Sequence, residues 1–230
     1  MAIQLQEATP EERRIYYNEE WRREDLPPFI AGTIGRREFG FDDDGQGPRN
    51  RYNRFQDVGR LEEYLKRTRP YAAYSSISYY KVPEKREGYE KAELVFDLDA
   101  KDLPVKSCCP GGKVCEICLA RAKDLVLDFK VVIEDDLALR DVHYIYSGRG
   151  YHIRILDEDL MGIGDTERAF ILDYLRGNIV LEDQEKTRRG RDPTAYTGGY
   201  AGIFPSRFKD ILRYMGPADL TSLGLGPRRA

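Results

Sequence analysis

The sequence predicts an α/β fold. Runs rich in β-branched and aromatic residues, with period-2 alternation, recur at residues 93–99, 142–146 and 151–156. Apolar residues at helical spacing recur beside them. One set is Val58, Leu61 and Leu65; another is Leu119, Ala122, Val126, Phe129 and Val132. The 230 residues suffice for one large domain or two small ones. With 41% apolar and 33% charged residues, the chain reads as soluble and folded. No apolar run is long enough to span a bilayer, and no membrane partner is expected. The opening Met-Ala-Ile-Gln-Leu-Gln-Glu lacks the basic and apolar regions of a signal peptide, so an intracellular location is expected.

The elements follow in order. Thr9-Pro10-Glu11-Glu12 is a capping box with proline at the first helical position. The helix should run to about Arg23, with Tyr17 and Trp21 on one face, and end at Asp25-Leu26-Pro27-Pro28. Residues 36–41 read as a short strand, 42–50 as a polar loop and 52–55 as extended chain. Residues 57–68 read as a helix, 71–82 as β-like and 83–91 as a loop. After the 93–99 strand come a cysteine-rich stretch, the long helix and two strands around Ser147-Gly148-Arg149-Gly150. Asp165 should cap another helix with Ala169, Leu172 and Leu175 inside. Residues 183–202 are basic and turn-rich, 203–215 suggest a short helix, and the last residues should fray. No internal repeat is evident. This pattern divides the chain into a body at 1–182 and a partly helical segment at 183–230.

Three constellations carry chemistry. The first is Asp97 and Asp99 in Glu93-Leu94-Val95-Phe96-Asp97-Leu98-Asp99. Residues i and i+2 of a strand share a face and lie roughly 7 Å apart. Two hard carboxylate ligands on one rigid face suit a pair of Mg²⁺ or Mn²⁺ ions. An isolated pair of this kind would more simply be a solvated acidic edge.

The second is cysteine. All four cysteines, Cys108, Cys109, Cys115 and Cys118, fall in one window. Inside a cell they gain little from disulfides. They read as a closed, structural Zn²⁺ knuckle at about 104–120, with Pro110-Gly111-Gly112 as its turn. The adjacent pair requires a bent backbone. A redox Cys-x-x-Cys is the rival and leaves two cysteines unexplained.

The third is the hairpin Tyr146-Ser147-Gly148-Arg149-Gly150-Tyr151-His152. Glycine lets backbone approach a ligand, Ser147 offers a hydroxyl, Arg149 a planar fork for phosphate oxygens, and His152 a further donor. Together they could cradle a triphosphate; alone they could be an ordinary turn. Net charge is 37 − 40 = −3, yet basic residues cluster at 49–54, 66–69 and 186–191. A local positive channel is compatible with that balance, as is a solvated surface.

Taken together, the motifs resemble the small catalytic subunit of archaeal and eukaryotic DNA primases. The resemblance runs through Arg37-Glu38-Phe39-Gly40-Phe41, Arg51-Tyr52-x-Arg54-Phe55, Tyr71-Ala-Ala-Tyr-Ser-Ser76, the Asp97/Asp99 strand, the cysteines and Ser147-Gly-Arg-Gly-Tyr-His152. It covers roughly residues 7–157 in family order. The archaeal form is closer overall, while the Cys108-Cys109 pair is like the eukaryotic one.

The resemblance implies a primase-type fold, a mixed sheet flanked by helices with a protruding zinc module. It implies catalytic metals on Asp97 and Asp99 and triphosphate on Ser147, Arg149 and His152. Glu38, Tyr52 and Arg54 would lie near the nucleotide and primer. The implied reaction is primer synthesis from nucleoside triphosphates on single-stranded DNA, in partnership with a large primase subunit. The location would be cytoplasmic in a prokaryote, as the archaeal likeness suggests, or nuclear in a eukaryote. A plasmid, viral or repair primase-polymerase using deoxynucleotides, and a zinc-bearing binding fragment without turnover, are the alternatives. The family's third metal-binding aspartate has no match among Asp173, Asp183, Asp192, Asp210 and Asp219, so the chain reads as shortened in its C-terminal part.

Overall fold

The computed structural model describes residues 5–103, 108, 109, 112–177, 199 and 203. The chain divides into two units, 1–119 with 142–162, and 120–141 with 163–230. Apart from Ile203, the expected helix at 203–215 lies outside the described residues, as does nearly all of the 183–230 segment. Among the described residues, no helix is long and apolar enough to cross a membrane.

The first unit opens with α1 (Pro10–Ile15), closed at its start by the capping box. The Thr9 N–H donates to Glu12 Oε2 at 2.7 Å, and the Glu12 N–H donates to Thr9 Oγ1 at 3.2 Å. A π-helical turn, Tyr16–Glu20, follows, and Trp21 is already extended. The helix thus ends before the expected Arg23. Pro28 does not stop a helix either; it starts the short α2 (Pro28–Ala31), where its missing N–H costs nothing.

Strands β1 (Phe39–Asp42), β2 (Asn50–Asn53) and β3 (Ala72–Ser75) form an antiparallel sheet ordered β2-β1-β3. A 3₁₀ turn at Ile34–Arg36 takes up the first residue of the expected 36–41 strand. Phe39 and Phe41 bury against Tyr17, Ile30, Ile34, Phe55, Leu61 and Leu65. The last two come from α3 (Val58–Thr68), capped by Asp57, whose carboxylate accepts the Arg60 N–H at 2.9 Å. The expected helix at 57–68 is therefore present.

Across β1, Gly40 leaves room for the Arg51 stem; a Cβ there would lie 2.9 Å from Arg51 Cδ. Arg51 reaches over it to Glu38, which is only 3% exposed. Glu38 accepts Arg51 Nε at 2.9 Å and Nη2 at 3.2 Å, the Tyr52 N–H at 3.0 Å and Arg86 Nε at 2.9 Å.

The β-like run at 71–82 breaks into β3 and β4 (Ser78–Val82). The latter pairs with β5 (Glu87–Ala92) in a two-stranded sheet. The expected loop at 83–91 is thus half strand. Glu87, Gly88, Tyr89 and Glu90 are all exposed, so β5 shows no apolar alternation. Its pairing comes from backbone hydrogen bonds to β4 and leaves no periodic trace in the side chains.

The third sheet is ordered β6-β8-β7, from β6 (Leu94–Asp99), β7 (Val142–Tyr146) and β8 (Gly150–Ile155). All its pairs are antiparallel, with Asp97 opposite His152 and Asp99 opposite Gly150. In place of one mixed sheet, the described strands form three antiparallel ones. Short connections such as Ser147–Arg149 return the chain beside itself, which favours antiparallel pairing.

Glu93, just before β6, is fully buried with Arg37, while Arg154 beside them is nearly so. Arg37 donates to Glu93 Oε1, to the Tyr79 hydroxyl at 2.6 Å and to Ser76 O at 2.7 Å. Tyr79 donates to Glu93 Oε1 at 2.8 Å and Arg154 Nε to Oε2 at 2.6 Å. Burial pushes the Tyr79 hydroxyl up to about 12 against the pull of Arg37, so it stays a donor. The unit closes with α5 (Glu158–Met161).

Helix α4 (Glu116–Val131) begins in the first unit and continues into the second. Ala122, Val126 and Val132 are buried, as its apolar face requires. In the second unit, α6 (Asp165–Arg176) is preceded by Gly164 at the N-cap. Asp165 is therefore the first helical residue and not the cap, although its charge still suits a helix start. Leu175 is buried, Leu172 half-buried and Ala169 exposed, which narrows the expected apolar face. Asp136 accepts the Tyr174 hydroxyl at 3.1 Å and the Gly199 N–H at 3.3 Å.

Two outcomes follow. A Cβ on Gly150 would sit 2.1 Å from Leu98 O and 2.9 Å from Asp99 Cα. Gly150→Ala must therefore push β8 off β6. It should cost about 3 kcal/mol, the upper end of overpacking losses, in denaturant melts. The second concerns Glu38. Burial raises its carboxyl pKa, but hydrogen bonds from Arg51, Tyr52 and Arg86 outweigh burial and hold it below the ordinary 4.5. A lowered folded pKa stabilises the fold above the ordinary value, and that part drains as pH falls through the folded one. The Glu38→Gln variant should therefore be less stable at pH 7, with the gap narrowing below pH 4.5. Parallel stability curves would disprove the assignment.

Candidate active site

Asp97 and Asp99 share one face of β6, with Val95 beside them, because the strand alternates. Pairing with β8 brings His152 Nε2 to 3.4 Å from Asp97 Oδ1. The Asp97 side chain is 69% exposed and that of Asp99 24%. Asp99 Oδ1 accepts the Lys101 N–H at 3.2 Å, which fastens the 3₁₀ turn Ala100–Asp102. Its other oxygen takes Lys101 Nζ at 2.9 Å, and this contact holds the ammonium above its usual pKa. Asp97 is thus open to solvent, while both oxygens of Asp99 are engaged by Lys101, whose ammonium a bound cation would displace. Hard oxygen donors on a rigid strand fit Mg²⁺ or Mn²⁺.

Opposite Asp99, the connection between β7 and β8 is a tight turn. Gly148 takes φ +93°, the Ser147 N–H donates to Gly150 O at 3.0 Å, and Tyr146 closes it with a 2.6 Å bond to Gly148 O. The Arg149 carbonyl accepts the Ala100 N–H at 3.1 Å, so the turn is tied to the end of β6. The Arg149 side chain is 58% exposed. It donates to the Tyr71 hydroxyl at 3.1 Å and to Glu7 at 3.2 Å. The structure therefore gathers Asp97, Asp99, Arg149 and His152 at one end of the β6–β8 ladder, with Ser147 exposed on the turn.

Glu38, Tyr52 and Arg54 sit elsewhere, on or beside the β1–β2 pair. Arg54 Nε donates to Gly35 O at 3.1 Å, and its Nη1 lies 3.7 Å from Glu84. None of the three is hydrogen-bonded or ion-paired to Asp97, Asp99, Arg149 or His152. Tyr71, just ahead of β3, is the residue that reaches the Arg149 side.

Sequence reasoning assigned no role to Lys101, Tyr71 or Arg86. Lys101 could have been suspected from its place two residues after Asp99. Arg86 carries no such signal, since it falls in the expected 83–91 loop and its partner Glu38 is 48 residues away.

The four cysteines form a separate cluster. Their sulfurs all lie within 4.8 Å of one another, and none is in a disulfide. Cys109 and Cys118 sulfurs are 3.8 Å apart, those of Cys115 and Cys118 3.6 Å. Zinc–thiolate bonds of about 2.3 Å imply tetrahedral edges of about 3.8 Å, so the donor set fits. A hydrogen bond from the Cys118 backbone lowers the Cys115 thiol to about 7. The Cys115 N–H in turn donates to Cys118 Sγ at 3.0 Å. Of the expected turn, Gly112 is in the left-handed region at φ +78°, while Pro110 and Gly111 lie outside the described residues.

The chain is similar to known proteins. The family model for the DNA primase small subunit matches residues 96–223. The DNA primase small subunit PriS of Thermococcus kodakarensis is 43% identical over 98% of this chain and 65% of its own length. That of Methanothermobacter thermautotrophicus is 44% identical over 94% of this chain and 67% of its own. For Methanobrevibacter smithii the figures are 39%, 96% and 78%. The chain spans about two thirds of the length of most of these curated relatives. A matched family model over more than half of the chain, and identity near 40% along nearly all of it, show that the chain belongs to the DNA primase small subunit family.

Proposed function

We propose that this chain carries the catalytic centre of a DNA primase, adding nucleotides to short primers on single-stranded DNA by two-metal nucleotidyl transfer. The observation that carries the reading is the face shared by Asp97 and Asp99, paired with the strand that bears His152 and follows Arg149. Asp97 and Asp99 would hold Mg²⁺ or Mn²⁺, which when bound neutralise phosphate charge and activate the attacking hydroxyl. Ser147 and Arg149 would grip the triphosphate from the turn, Arg149 releasing Glu7 to do so. His152 would add a donor beside Asp97. Glu38, Tyr52 and Arg54 would serve the primer or template side. The four cysteines would hold a structural Zn²⁺ with no open position for chemistry.

Residues 1–182 would form the catalytic body, on the primase-type fold. Nucleoside triphosphates and single-stranded template would be the substrates and a large primase subunit the partner, in the cytoplasm of an archaeon as the relatives' sources suggest. The resemblance implies a third metal-binding carboxylate. Asp173 is on α6 in the second unit, and Asp183, Asp192, Asp210 and Asp219 lie outside the described residues.

Asp97→Asn and Asp99→Asn should each weaken Mn²⁺ binding in calorimetry and abolish labelled-nucleotide addition on a single-stranded template. Neither should lower the melting temperature much, because Asp97 is exposed and an asparagine at 99 keeps the oxygen that accepts the Lys101 N–H. Undiminished addition in either variant would sink the two-metal assignment.

Elemental analysis should find one zinc per chain, lost in Cys115→Ser. Because a closed thiolate site contributes folding energy, chelation should loosen the knuckle before the sheets. A fully folded chain without metal would count against this.

A further inference from the structure

The β1–β2 pair contains a bulge. Phe39 faces Asn53 and Phe41 faces Asn50, so β2 carries one residue more than β1 between them. Tyr52 lies in that bulge at φ +64°. A left-handed bulge position is normally glycine's, since any Cβ there costs on the order of 1 kcal/mol. Nothing in the packing calls for a tyrosine, because 54% of it is exposed. Its N–H is held by Glu38 Oε1.

Arg86 is also left-handed, at φ +56°. It reaches the other Glu38 oxygen through Nε and through Nη2 at 2.8 Å. Its guanidinium then lies 4.9 Å from the centroid of the Tyr52 ring. Two strained, non-glycine residues thus converge on one buried carboxylate, with the partly exposed Arg86 guanidinium beside the exposed Tyr52 ring. Strain of this kind persists where the surroundings enforce it and is concentrated at binding sites.

The charge balance points to the ligand. Glu38 faces two guanidiniums, Arg51 and Arg86, which leaves one net positive charge. Each arginine side chain is 37% exposed, and among the described residues Nη1 of each has no hydrogen-bond or ion-pair partner. An open aromatic face beside a cation accepts any base by stacking and its phosphate by charge. We propose that Tyr52 and Arg86 form a stacking platform for one base of a single-stranded nucleic acid, with the free edge of Arg86 taking the adjoining phosphate. The proposal rests on the reading that the chain handles single-stranded nucleic acid and adds a residue, Arg86, and a mode of contact to it. Glu38 is then a positioning residue that holds both members.

The test is binding of an oligothymidylate carrying one 2-aminopurine, followed by fluorescence, with the 230-residue chain. Stacking on Tyr52 should quench the probe. Tyr52→Gly relieves the backbone strain, so its melting temperature should hold, yet affinity should fall about tenfold, the scale of one lost stacked base. A purely structural tyrosine would not separate these readouts. Tyr52→Leu keeps the strained backbone but has no π face, and should lose quenching as well. Tyr52→Phe should retain it. Arg86→Met should weaken binding and flatten its salt dependence by about one phosphate contact. Wild-type affinity and quenching in Tyr52→Gly or Tyr52→Leu, with the oligonucleotide still bound, would overturn the platform while leaving the metal-site reading intact. Retained nucleotide addition in Asp97→Asn would overturn the metal-site reading and leave the platform standing.

Discussion

Glu93 is the residue on which the rest of the first unit depends. A carboxylate without solvent exposure must be compensated, or its desolvation costs several kcal/mol. Here the compensation comes from three places in the chain. Arg37 arrives from just before β1, Tyr79 from β4 and Arg154 from β8. Arg37 also binds Ser76 between β3 and β4. All three sheets are thereby fastened at one point. Removing Glu93 would leave Arg37 and Arg154 facing one another in the interior with no carboxylate between them.

That arrangement sets the register of the strand that carries Asp97 and Asp99. With Arg154 held to Glu93, β8 can pair with β6 only so that His152 faces Asp97 and Gly150 faces Asp99. A shift by one residue would turn the carboxylates to the opposite face. Gly150 reinforces this, since no larger residue fits against Leu98 O. The exposed carboxylates therefore rest on a buried, fully committed ion cluster two strand steps away. The floor of the site is rigid, while its working groups Lys101, Arg149 and Glu7 are long surface side chains in exchangeable pairs. Such surface pairs are weak and readily traded for a substrate.

Glu38 repeats the principle on a smaller scale. It is another buried carboxylate with two arginine partners, Arg51 from β2 and Arg86 from the β4–β5 connection. The excess positive charge faces solvent here, and two backbone distortions are spent to keep it there. Buried anions thus organise the cations of this protein, which explains how a chain of net charge −3 can present locally positive surfaces.

Sequence alone determined what depends on short-range periodicity and spacing. The β6 alternation placed Asp97 and Asp99 on one face, and Val58, Leu61 and Leu65 marked α3. The cysteine window held a set that does converge. The ordered motifs were enough to point to the family. Tertiary structure decided what depends on distant partners. Strand β5 has no side-chain pattern of its own and exists through β4. The left-handed turn of Tyr52 arises from a bulge that only pairing with β1 creates. Arg86 acquires a role by reaching a carboxylate 48 residues away. Glu93 looked like one more polar residue at the start of a strand, until Arg37 and Arg154 closed over it. Backbone pairing and buried charge compensation are both non-local, so neither leaves a local signature in the chain.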